Sequence, residues 1–135
     1  MAEERKLVGK IDDLPTIDCS DFIKGAEKRI VFGPGQYWDS HVMRNFKLAP
    51  HAKAPTNHHP WPHQALCIGG QGVFVIDGVE YEISEGSYMH VPSNAEHGFW
   101  NTSETEPLNI ICIVPKEGDV NPLTATEEQK KFAFC

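Results

Sequence analysis

From Arg29 onward the chain reads as short apolar or alternating runs separated by turn residues, a period-two pattern that predicts strands rather than helices. The runs are RIVFG, HVMRNFKLA, QALCIG, GVFVID, VEYEIS, SYMHV, HGFWNT and LNIICIVP. Between them stand Gly33-Pro34-Gly35, Gly69-Gly70, Asp77-Gly78, Glu85-Gly86, and Pro92 with Asn94. Asp77-Gly78 is a strong hairpin signal, since a two-residue type I′ turn needs positive φ at both central positions. Glu85-Gly86 is a weaker version. Eight or so short strands with no helical period between them predict an all-β fold, a double-sheet jelly roll or barrel. The stretch before Arg29, rich in Asp and Lys and broken by Pro15, predicts an arm with room for one strand. Only the tail TATEEQKKFAF has a helical pattern, and Thr124 with Glu127, or Thr126 with Gln129, can form a capping box for a short C-terminal helix. The chain therefore divides into an arm (1–28), a barrel (29–119) and a tail (120–135).

At 135 residues there is room for one domain and one core. No run approaches the ~18 apolar residues of a membrane span, and the start, MAEERKLVGKIDDLP, carries charge where a signal peptide would be apolar. The expectation is a cytoplasmic protein. A formal charge of −7 with scattered Lys and Arg argues against nucleic acid, which needs a concentrated basic patch. None of the four cysteines sits in a CxxC pair, and Cys67 and Cys112 lie inside apolar runs. Both are expected to be buried thiols rather than disulfides or metal ligands.

The chemistry is carried by histidine. Of seven, four lie between positions 51 and 63, and the segment Asn57-His58-His59-Pro60-Trp61-Pro62-His63 precedes the strand QALCIG. Neutral imidazole is the commonest protein ligand for divalent transition metals, provided several rings converge on one point. In an extended stretch 57, 59, 61 and 63 share one face and His58 takes the other. His59 and His63 are then the natural ligands here, and His97, opening HGFWNT after the Pro92–Asn94 turn, is the third. Histidine-rich loops are often merely solvated; the spacing around these argues otherwise.

Gly86, Pro92, Asn94, His97 and Asn101 stand at the places of Gly, Pro, Gly, His and Asn in the second cupin motif, with Asn replacing the middle Gly. Asn is the next best residue at positive φ. Gly70 closes the first motif, with His63 where that motif usually has Glu. The chain thus resembles the cupin superfamily over about Lys28 to Asp119. It is similar in particular to small single-domain cupins with an HxHPWxH motif, whose metal, often manganese, is held by four histidines. The resemblance implies one divalent transition metal per chain, manganese favoured, with Fe, Ni, Zn, Co and Cu also compatible with imidazole. It also implies a homodimer. The first His of HxH falls on Asn57, so that either Asn57 coordinates through its amide oxygen, or His58 replaces it, or a water fills the place; parity favours Asn57.

Alternation and the resemblance place Cys67, Phe99, Ile110, Cys112 and Val114 toward a substrate pocket, although core packing explains them equally well. Arg44, between Val42 and Phe46, is expected to face inward as a bidentate partner for a carboxylate. The leading functional expectation is a metal-dependent enzyme, oxygenase-like, acting on a small organic molecule. The rivals are redox-neutral Lewis-acid isomerase or lyase chemistry, and a small-molecule binding module without turnover.

Overall fold

The computed structural model describes residues 5–18 and 23–119; the expected C-terminal helix with its capping boxes, and Cys19 and Cys135, lie outside the described residues. Among the described residues, strict alternation is clearest in β5 (His63–Gly69), which turns His63, Ala65 and Cys67 inward and Gln64, Leu66 and Ile68 outward. Its neighbour β10 (Leu108–Pro115) is buried along most of its length because β3 (His41–Leu48) covers its other edge. With β1 (Ile17–Asp18), β2 (Ala26–Phe32) and β8 (Tyr88–Val91) they form a six-stranded sheet in the order β1-β2-β3-β10-β5-β8. A four-stranded sheet, β4-β9-β6-β7, faces it; its members are β4 (Lys53–Asn57), β6 (Gln71–Ile76), β7 (Val79–Ser84) and β9 (His97–Asn101). Every pairing between these strands is antiparallel among the described residues. The architecture is the all-β jelly roll that the sequence predicts. The six-stranded sheet begins upstream of Arg29, since β2 starts at Ala26 and pairs with β1.

Phe46, Leu48, Phe74, Phe99, Leu108 and Ile110 fill the space between the sheets. Phe74 and Phe99 stack with centroids 5.6 Å apart, and Phe46 meets Phe99 edge-on. Burying such side chains stabilises by roughly 1.5–3 kcal/mol each.

Turn chemistry behaves as the residues require. Asp77 (φ 48°) and Gly78 (φ 82°) form the tight turn between the paired residues Ile76 and Val79. Asn94 takes φ 65°, the conformation its place in the motif demands. Gly70, with φ 82°, carries the chain from one sheet to the other, and any Cβ there would collide with the Pro107 carbonyl. Strand β4 is absent from the sequence pattern because Lys53–Asn57 has one apolar residue and a proline. It forms at the edge of its sheet, where proline is tolerated, and its pairing with β9 is irregular between Ala54 and Asn57.

Candidate metal centre

Strand β4 ends at Asn57 in the four-stranded sheet and β5 begins at His63 in the six-stranded one, so residues 58–62 cross between sheets. His59 lies on this crossing, His63 is the first residue of β5, and His97 is the first of β9. Three different elements thus deliver three imidazoles to one end of the barrel. One nitrogen from each lies within 4.8 Å of the others. All three rings are at least nine-tenths buried. The convergence does not come from one continuous extended strand through 57–63, as parity alone suggests; the chain leaves β4 and turns at the prolines. His58 is exposed, whereas Asn57, paired with His97 across β4 and β9, is half-buried and lines the cavity. The Asn57 side-chain oxygen accepts from the His58 backbone N–H at 2.8 Å.

Backbone carbonyls set the tautomers. His59 Nδ1 lies 2.8 Å from the Trp61 carbonyl and His97 Nδ1 lies 3.0 Å from that of Ala95. A carbonyl only accepts, so both Nδ1 atoms carry the proton and both Nε2 atoms keep a lone pair. His63 Nδ1 lies 3.4 Å from His97 Nε2, and His63 Nε2 is buried with no partner among the described residues. An orphaned imidazole nitrogen beside neighbouring lone pairs is an arrangement that a cation satisfies, so the residues fit a divalent metal.

Burial also keeps the rings neutral. It pulls His59 down to about 4, helped by the nearby His97, and lowers His63 well below its ordinary value, with Arg44 adding positive charge. His97 is lowered chiefly by burial as well. At neutral pH no proton has to leave before metal binds.

The cluster opens onto a cavity of about 30 Å³, lined also by Arg44, Phe46, Gly98, Phe99, Cys112, Val114 and Gly118. Arg44 does turn inward: it is 6% exposed, lies over the Phe46 ring, and its Nε has no partner among the described residues. Of the other pocket residues expected from the sequence, Phe99, Cys112 and Val114 line the cavity. Cys67 and Ile110 sit in the core instead, each four residues along its strand from His63 or Val114, roughly 13 Å away by strand rise. Cys67 and Cys112 are free thiols, and burial pushes Cys112 up to about 11, which keeps it protonated and unreactive.

Sequence reasoning gave no role to two charged neighbours. Lys28, 2% exposed, donates to Asp119 Oδ1 at 2.8 Å, and Arg44 Nη1 reaches the same oxygen at 3.4 Å. Burial pulls the Lys28 ammonium down to about 8, against the favourable charge of Asp119. Trp61, which parity puts on the face of His59 and His63, stacks on His59 with centroids 4.9 Å apart and rings 8° from parallel. No sequence signal marks Lys28 for burial, since it stands in the charged run Glu27-Lys28-Arg29.

A family model described as the cupin domain matches residues 44–114, slightly more than half of the chain. The chain is 32% identical over 75 residues to dimethylsulfoniopropionate lyase DddW of Ruegeria pomeroyi, covering 56% of this chain and 42% of that protein. It is 25% identical over 79 residues to auxin-binding protein T85 of Nicotiana tabacum, covering 51% and 42%. The chain thus spans less than half the length of these curated relatives. Among solved structures it resembles the polyketide cyclase RemF from Streptomyces resistomycificus with a TM-score of 0.74 and 19% identity, over 93% of this chain and 90% of that one. Two facing antiparallel sheets, an Asn at positive φ ahead of His97, and a family match spanning β3 to β10 lead to one conclusion: the chain belongs to the cupin domain family.

Proposed function

We propose that this cupin is a metal-dependent enzyme acting on a small organic anion, and that its reaction is an oxidation by dioxygen. The observation that carries the reading is the make-up of one cavity: three neutral imidazoles and a buried guanidinium, with no carboxylate in the lining among the described residues. His59, His63 and His97 hold the ion, and Asn57 or a water completes the set. Manganese is favoured by the HPWxH segment. Neutral ligands leave the ion most of its charge, and when bound it supplies Lewis acidity toward an anionic oxygen and an electron path to dioxygen. Arg44 orients the substrate carboxylate, while Phe46, Phe99 and Val114 exclude water. Four electrons leave the substrate and both atoms of the dioxygen enter the product, so no further reductant is required. No protein general base is needed, which agrees with a lining that, among the described residues, offers none beyond the histidines.

Redox-neutral lyase or isomerase chemistry is the second reading, and the 32% identity to DddW favours it. Chain reconstituted with Fe(II) or Mn(II) is offered a panel of small carboxylates in an oxygen electrode. Substrate-dependent oxygen uptake supports the proposal; product formation that persists without oxygen refutes it in favour of the lyase. Ligand binding with no turnover under either condition would leave a binding module. We further propose a cytoplasmic homodimer, consistent with Leu66, Ile68 and Tyr88 exposed on the outer face of β5 and β8. Sedimentation at micromolar concentration gives a dimer mass if this holds, and a monomer mass refutes it.

A further inference from the structure

Arg44, in the cavity lining, belongs to a cluster in which two buried cations share one anion among the described residues. Lys28 and Arg44 are both more than nine-tenths buried, yet they share a single carboxylate oxygen, Asp119 Oδ1. The contacts are unequal: Lys28 is close at 2.8 Å, whereas Arg44 is held through one nitrogen at 3.4 Å and its Nε is buried without a partner among the described residues. A guanidinium is built to take a carboxylate through two parallel N–H bonds. Here it has half of that arrangement, from an anion that belongs mainly to another cation.

The enclosed part of the cavity is also small. Its volume is about 30 Å³, whereas small-molecule pockets usually offer roughly 300–1,000 Å³. Gly118, the last residue of the turn Lys116–Gly118, is in the lining, and Asp119 follows it directly. The group that half-satisfies Arg44 is thus carried on the segment that narrows the cavity.

We propose that Asp119 is an internal placeholder for a substrate carboxylate, which displaces it from Arg44 and moves the 116–119 turn outward to admit the rest of the molecule. The inference rests on the anionic-substrate reading above and specifies it: one carboxylate group binds at Arg44. Asp119 retains Lys28 throughout, so the turn shifts without being released. A second carboxylate at Arg44 leaves each buried cation with its own anion and adds the second N–H bond that Asp119 does not make. A neutral analogue of the substrate offers no such exchange and leaves the turn in place.

The test is calorimetric titration of the full chain with sodium acetate against sodium chloride at matched ionic strength. Wild type is compared with Arg44→Met, Asp119→Asn and the double variant Lys28→Met/Asp119→Asn. The double variant removes one buried cation with the anion, so it keeps the wild-type charge balance and guards against misfolding of the single variant. The expected result is acetate binding that Arg44→Met abolishes and that is at least about tenfold tighter in the double variant. Tightening in Asp119→Asn alone would attribute the effect to net charge and overturn the proposal, as would unchanged affinity in both. Binding that ignores Arg44→Met, or no binding to any form, would remove the anionic-substrate reading as well.

Discussion

Replacing Gly118 with Ala tests how firmly the cavity wall and the histidine cluster are coupled. A Cβ at this position would stand 2.5 Å from Trp61 Nε1, 2.8 Å from Trp61 Cε2 and 3.0 Å from Val114 Cβ. Ordinary contact needs about 3.5 Å, so the indole must retreat by roughly 1 Å or the turn must lift by as much. Overpacking of this kind costs about 1–3 kcal/mol. The indole cannot retreat alone, because it stacks on His59, and the Trp61 carbonyl holds the His59 Nδ1 proton. Part of the strain therefore reaches a proposed ligand through its supporting hydrogen bond. Loss of such outer support typically weakens metal binding by about 10–100-fold, or roughly 1.4–2.8 kcal/mol. Dissociation constants for Mn(II) and Zn(II), measured by competition with a chromophoric chelator, give the answer, with thermal unfolding recorded in parallel. A lowered Tm with metal affinity within twofold of wild type would refute the coupling and leave the contact a matter of packing alone.

His63→Ala or His97→Ala is expected to abolish stoichiometric metal in elemental analysis while circular dichroism stays β-rich; full occupancy in both variants would overturn the ligand assignment. Asn57→His should tighten metal binding by at least about tenfold, because Asn57 already lines the cavity, whereas His58→Ala should leave it unchanged, since His58 is exposed; the reverse pattern in metal titrations would move the fourth ligand to His58. His59 titrates near 4 in the fold and near 6.5 when unfolded, so between these values the unfolded chain binds more protons and stability is lost as the pH is lowered. Metal-free protein should lose about 3 kcal/mol from this group on going from pH 6.5 to 4, and denaturant melts of His59→Gln should show a shallower slope; equal slopes would refute the assignment.

The sequence by itself determined the features that depend on neighbours along the chain. Period-two alternation set which residues of β5 face the core, and Asp77-Gly78 and Asn94 named the positions that need positive φ. The spacing of His59, His63 and His97 around those turns announced their convergence, since short antiparallel connections leave few places for them to go. The tertiary structure decided everything that depends on partners far apart in sequence. Lys28 and Asp119 are 91 positions apart, and no local pattern says that they share an oxygen with Arg44. Strand β4 exists because β9 offers it an edge, despite a proline and little apolar character of its own. Alternation gave Cys67 and Ile110 the correct inward face but not their height in the barrel, and the cavity lies at the other end. Parity fixes direction across a sheet, whereas distance along it follows from strand register, and register is settled only when the two sheets close on a common core.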